Sequence, residues 1–189
     1  MYIPKLGIYD GLRLEDKKLD RILNEISIYD FAATVHAPYF AESANYPSAL
    51  QVDTSQMGTK EFTLMEESIA LASRIEASVV VLHPGRIGPD REKSFSSMVI
   101  NLEKLASTAE DYGVILGLEN KEGTDPSNFC CEAVELSQTI ESVNSEHLKA
   151  TFDIGHANLT CGGDLEKLGE FVRTLKKHVI HVHLHDNSG

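Results

Sequence analysis

Apolar residues recur along the chain with two alternating periods. Leu19, Ile22, Leu23 and Ile26 lie at helical spacing within residues 14–28, with Asp and Lys between them. Leu64, Ile69, Leu71, Ala72 and Ile75 repeat that spacing over 61–75, and Phe95, Val99, Leu102, Leu105 and Ala109 repeat it over 91–112. Residues 131–143 and a segment opened by Gly162-Gly163-Asp164, with Asp164 as N-cap, complete the predicted helices. Between them stand short apolar runs at 31–36, 79–82, 114–118, 149–153 and 179–184, each read as a strand. Pro84-Gly85 stops the second of these. Residues 1–11 read as the stub of a strand and its loop, and 37–58 as a long polar loop. Helices alternating with short apolar strands predict an α/β fold with a parallel sheet.

The strand faces refine this expectation. Ala32, Thr34 and His36 share one face, as do Val79, Val81 and His83. The pattern recurs in Ile115, Gly117 and Glu119, in Lys149, Thr151 and Asp153, and in Val179, His181, His183 and His185. Imidazoles and carboxylates are out of place on a sheet covered by helices on both faces. They are natural near the mouth of a barrel, where active sites sit at the C-terminal strand ends. The expected architecture is therefore a (β/α)8 TIM barrel rather than a doubly wound sheet.

The strand-end residues are His36, His83, Glu119, Asp153 and His183, each about one βα unit from the last. His156 follows Asp153 by three residues in Thr151-Phe152-Asp153-Ile154-Gly155-His156, where Gly155 is read as turning the backbone. One strand-end histidine is more often a hydrogen-bonded bystander than a ligand. Imidazoles and carboxylates repeated on one rim are costly together unless a cation or protons compensate them. A divalent metal, zinc or manganese, meets that need. His181 and His185 share the inward face of His183 and are candidates for contacts to ligands or substrate. His147 and His178 are expected to be solvated.

Bulk properties narrow the class. The 189 residues suffice for a single domain with a real core, expected to span 1–189. Hydrophobic content of 42% and charged content of 24% are ordinary for a globular protein. No apolar run approaches the roughly 20 residues of a membrane span, and Met-Tyr-Ile-Pro-Lys-Leu-Gly lacks a signal-peptide layout. Cys130, Cys131 and Cys161 form a poor disulfide framework, so a reduced, cytoplasmic setting is expected, with no metal role for the thiols. A net charge of -12 disfavours a broad basic surface for nucleic acid.

Five motifs in order carry a family resemblance: VHAPYF (35–40), VLHPG (81–85), GLEN (117–120), DIGHAN (153–158) and HVHLHDNSG (181–189). They resemble the xylose isomerase-like TIM barrels, which include sugar phosphate isomerases/epimerases and endonuclease IV. The resemblance implies metal ligands at Glu119, Asp153 and His183. Its endonuclease IV branch would add His36, His83 and His156 for a trinuclear zinc site. The activity implied first is a metal-dependent sugar or sugar-phosphate isomerase/epimerase, with proton abstraction next to a carbonyl through an enediolate. Glu119 would move the proton, and Asn120, His83, His181, His185 and Asp186 would contact a small-molecule sugar. The alternatives are an endonuclease IV-type zinc phosphodiesterase acting on abasic DNA, the one case with a nucleic-acid partner, and a non-catalytic barrel fragment. A full barrel has eight strands and typically about 250 residues. Here five strands and a stub are legible, and the family's Asp-x-His segment and last-strand glutamate are not found. The expectation is a barrel truncated to about five or six βα units, incomplete at both ends. Its open strand edges point to a homo-oligomer.

Overall fold

A computed structural model describes residues 9–29, 32–40 and 50–185. A small antiparallel pair, β1 (Tyr9–Asp10) and β2 (Arg13–Leu14), precedes helix α1 (Asp16–Ile26). β3 (Val35–His36) follows, then a second antiparallel pair, β4 (Tyr39–Phe40) with β5 (Leu50–Gln51). The chain continues through α2 (Thr59–Arg74), β6 (Val79–Leu82), α3 (Arg91–Asp111), β7 (Ile115–Glu119) and α4 (Ala133–Val143). It ends with β8 (Leu148–Asp153), α5 (Ile154–Cys161), α6 (Leu165–Leu175) and β9 (Val179–His183).

The main sheet has five strands in the order β3-β6-β7-β8-β9, and every neighbouring pair is parallel. Each new strand joins the same side as the last, with no reversal. A doubly wound sheet reverses its order at a switch point; a barrel does not. The architecture is a parallel half-barrel, as the strand faces predicted. The register is staggered: Glu119 pairs with Thr151, and Asp153 pairs with His183. Such stagger accompanies barrel curvature.

Alternation divides the strands between two environments. Val80, Leu82, Leu116, Leu118, Leu148, Ala150 and Phe152 belong to the core that packs beneath the helices. There they meet Met65, Ile69, Met98, Leu102, Leu105, Leu136 and Ile140. Burying each side chain of this size contributes about 1.5–3 kcal/mol. The opposite parity carries Gly117 in β7, where a Cβ would lie 2.3 Å from Thr151 Oγ1. That glycine lets the inner face of β7 and β8 close up below the site.

Several local expectations change. Residues 31–36 form a strand only at Val35–His36; residues 30 and 31 lie outside the described residues. The 37–58 loop contains β4 and β5, and residues 1–8 lie outside the described residues. α4 starts at Ala133 rather than 131, because Cys130 sits at φ 59, outside helical space. Gly155 does not turn the chain. Asp153 accepts a hydrogen bond from His156 N at 2.7 Å and so caps a helix that begins at Ile154. Asp164 caps α6 as expected, accepting from Glu166 N at 2.9 Å. β9 carries a bulge: Ala150 pairs with Val179 but Thr151 pairs with His181, so Ile180 is an extra residue. Val179 consequently packs against the core instead of sharing the face of His181 and His183.

Candidate metal centre and its cavity

The strand ends open into a cavity of about 600 Å³, within the range of small-molecule sites. His36, His83, Glu119, Asp153, His156 and His183 all line it. At its base Glu119 is 2% exposed. His183 Nδ1 lies 3.1 Å from Glu119 Oε1, while His83 Nε2 and His36 Nε2 lie 3.2 and 3.3 Å from Oε2. His183 Nδ1 is also 3.7 Å from Asp153 Oδ2, so this imidazole spans both carboxylates.

Tautomers show what the cluster is built for. His36 Nδ1 donates to the Ala37 carbonyl at 2.8 Å, because a carbonyl can only accept. In the neutral ring its Nε2 then presents a lone pair to Glu119 Oε2. That oxygen is buried and makes no hydrogen bond among the described residues. Lone pairs facing one another within a few ångströms suit a cation between them. A histidine tied through its other nitrogen to a carbonyl is also the usual arrangement of a metal ligand. His156 repeats it, with Nδ1 donating to the Asn120 carbonyl at 2.9 Å. Among the described residues, two groups have ligand atoms mutually within 4.8 Å: His36, Glu119 and His183, and Asp153, His156 and His185. Their nitrogen and oxygen donors fit a divalent ion such as zinc or manganese.

The electrostatics agree. Burial opposes ionisation of Glu119, but the His183, His36 and His83 imidazoles around it outweigh it and hold the carboxyl well below its usual range. Asp153 is also held down against its burial, by His183 and the His156 backbone N–H. Asp153 and then Glu119 push His183 up to about 9. Burial pulls His83 and His181 down.

Other expected positions have different surroundings. Asn120, expected at the substrate, is fully buried and spends its amide on the backbone of Asp153. Its Nδ2 donates to Asp153 O at 3.0 Å, and its Oδ1 accepts from Asp153 N at 2.8 Å. His181 meets the edge of the His183 ring at 5.1 Å and does not line the cavity. His185 does line it, with Nε2 2.9 Å from Asp153 Oδ1. Its ring lies over Gly155, where any Cβ would fall 2.0 Å from His185 Cε1. Asp186 lies outside the described residues. His147 and His178 are not solvated: His147 Nδ1 donates to Val114 O at 2.8 Å, and His178 Nε2 lies 3.1 Å from Ser137 Oγ. Burial pushes the Cys130 thiol up, and Cys131 to about 11, which disfavours the thiolate a metal would need. Two wall residues escaped sequence reasoning, Tyr39 and Lys121. Their only signals were proximity to His36 and Glu119.

Residues 3–189 match the family described as xylose isomerase-like TIM barrel. The chain belongs to this family. Uncharacterized protein MJ1311 of Methanocaldococcus jannaschii is 29% identical over 187 residues, covering 93% of this chain and 58% of its own length. A D-tagatose 3-epimerase-like protein is similar in structure at a TM-score of 0.74 and 28% identity, over 92% of this chain and 63% of its own. An AP endonuclease, family 2, from Brucella melitensis shares the fold at a TM-score of 0.69 and 17% identity, over 86% of this chain and 62% of its own. The chain thus spans a little under two thirds of these relatives. Among the described residues, no helix is long and apolar enough to cross a membrane.

Proposed function

We propose that this xylose isomerase-like chain serves metal-dependent isomerisation or epimerisation of a sugar or sugar phosphate, by proton transfer at a carbon next to a carbonyl. The observation that carries the reading is Glu119, a buried carboxylate with three imidazole nitrogens within 3.3 Å at the open end of a parallel half-barrel. Glu119, Asp153 and His183 would hold the ion, with zinc or manganese both suited to the donors. When bound, a divalent ion supplies Lewis acidity that polarises carbonyl and hydroxyl oxygens.

The chain's own residues do the rest. Glu119 is ionised at neutral pH and is the candidate acceptor for the substrate proton. His183 keeps Glu119 and Asp153 at fixed separation. The Asn120 carbonyl sets the His156 ring so that Nε2 remains available, 3.5 Å from Glu122 Oε2. Lys121, Tyr39 and His185 wall the cavity and are placed to meet substrate hydroxyls.

The D-tagatose 3-epimerase-like neighbour supports this reading over DNA incision, as does the net charge of -12. One observation favours the alternative, an endonuclease IV-type phosphodiesterase with His36, His83 and His156 as further ligands. All three imidazoles approach Glu119 within 3.6 Å, more nitrogen than one ion needs beside Asp153 and His183. The deciding experiment offers the manganese- or zinc-loaded chain a panel of ketoses in D2O and follows deuterium uptake next to the carbonyl by NMR. In parallel the same protein meets duplex DNA with an abasic site. Deuterium uptake without incision is expected; incision without uptake overturns the isomerase reading.

A further inference from the structure

A second, smaller cavity of about 180 Å³ adjoins the first. Tyr39, His83 and Lys121 line both and form the wall between them. Stand-alone small-molecule sites run to roughly 300–1,000 Å³, so the smaller space is an annex, sized for one substituent of a ligand held in the larger.

Its frame is a clasp between the loops that follow β5, β6 and β7. Asp53 accepts from Ser55 N at 3.0 Å, Ser55 Oγ at 2.7 Å and Arg86 N at 3.1 Å. Asp125 accepts from Ser127 N at 3.0 Å, Ser127 Oγ at 2.6 Å and Arg86 Nη2 at 2.9 Å. Phe129 N donates to Gly85 O at 3.1 Å and closes the clasp. Asp125 thus spends both carboxylate oxygens within the frame, and Asp53 spends its Oδ1 there. Other polar groups keep unspent capacity. The Asn128 amide nitrogen and the Gln51 side chain make no hydrogen bond among the described residues. Lys121 Nζ pairs with Glu122 Oε2 at 3.1 Å, and an ammonium carries further N–H donors.

We propose that the annex is a subsite for a neutral, polyhydroxylated group, a second sugar ring joined to the ketose in the main cavity. The proposal rests on the sugar reading of that cavity. Charge argues against an anion: Arg86 and Lys121 face three carboxylates, Asp53, Glu122 and Asp125. Polarity argues against an apolar group, because amides and charged heads dominate the lining. Hydroxyls both donate and accept, which matches unspent amides and an ammonium with donors to spare. Tyr39, with its ring centroid 4.6 Å from that of His36 and 4.9 Å from that of His83, stands where the linkage between the rings would pass.

The test titrates the manganese-loaded chain by calorimetry with three probes: D-fructose, D-fructose 6-phosphate and the disaccharide lactulose. Lactulose is expected to bind about tenfold tighter than D-fructose, the scale of one or two net hydrogen bonds. The phosphate should give no gain. Asn128→Leu and Gln51→Leu should each draw the lactulose-to-fructose affinity ratio toward one. A ratio of one in the unmodified chain, or a ratio insensitive to both variants, overturns the annex while leaving sugar binding in the main cavity standing. A gain for the phosphate alone makes the annex an anion site and also overturns the proposal. Failure of all three probes to bind removes the sugar reading and the annex with it.

Discussion

β7 and β9 are both five residues long, run parallel, and end in a residue with metal-ligand chemistry. β7 lies inside the sheet, and Leu116, Leu118 and Glu119 are buried. β9 lies at the edge of the described sheet, with Ile180 40% and Val182 51% exposed. At β7 packing comes first: the core fixes the strand, and the strand delivers a carboxylate into a dry environment that three imidazoles make tolerable. At β9 the order is reversed. The carboxylates of β7 and β8 hold His183 on a strand with little cover among the described residues, and Asp153 holds His185 beyond it. Among the described residues, His183 is held through Glu119, whose own strand is buried.

Breaking the β7 side should have the largest effect. Zinc, manganese or cobalt should raise the melting temperature by mass action on the folded state. Glu119→Gln or Asp153→Asn should abolish that shift. Glu119→Gln should also slow deuterium exchange on a ketose by about 10²–10⁴, the usual contribution of a general base. Thermal scans with and without metal test this; a full metal response in both variants would place the ligands elsewhere.

The histidines at the end of β9 and just beyond it come next. His183 touches both carboxylates, whereas His185 touches Asp153 alone and is 47% exposed at its side chain. Zinc titration calorimetry should show the severest loss for His183→Ala and a smaller one, about 10–100-fold, for His185→Ala. The reverse order would put the ligand two residues beyond the strand. pH adds a signature. The His183 pKa is raised from 6.5 to about 9, so its contribution to metal-free stability is complete below 6.5 and is lost as pH rises through 9. Metal must displace that proton. Between pH 6.5 and 9 the metal-free melting temperature should fall while the shift caused by zinc grows. In His183→Ala both trends should flatten.

The smallest effect on stability belongs to the exposed apolar side chains of β9. Ile180→Thr with Val182→Thr keeps β-branching and should change stability by no more than about 0.5 kcal/mol per site. It should nonetheless reduce self-association of the chain, measured by light scattering at high micromolar concentration. A strictly monomeric unmodified chain would remove this part of the contrast, because an exposed edge with apolar side chains favours pairing.

The same contrast explains what could be read from the chain alone. His83, Glu119, Asp153 and His183 were legible as strand ends because period-two alternation survives wherever one face is buried. His36 was legible as the end of a strand over 31–36, although β3 itself has only two residues. The bulge at Ile180 was invisible: it leaves the hydrophobic pattern intact and alters only which neighbour each residue meets. α5 was hidden because Gly155 reads as a turn, while the deciding interaction is the Asp153 side chain capping the next turn. His185 lies past the last strand residue, and only the folded path brings it over Gly155 to Asp153. Asn120 looked like a substrate contact because its neighbour Glu119 faces the cavity; one step along a strand reverses the direction of a side chain.

Asn120 also has an evolutionary consequence. Its amide imitates a peptide unit, giving and taking one hydrogen bond with Asp153 just where β7 has run out of backbone to do so. Aspartate has the reach but no donor. Glutamine has both groups but one methylene too many, and leucine has neither. Position 120 therefore has a vocabulary of one word, although it does not line the cavity. Drift can reword the cavity wall at Lys121 or Tyr39 and so change what is bound. It cannot reword Asn120 without letting Asp153, and the helix that Asp153 caps, fall out of register.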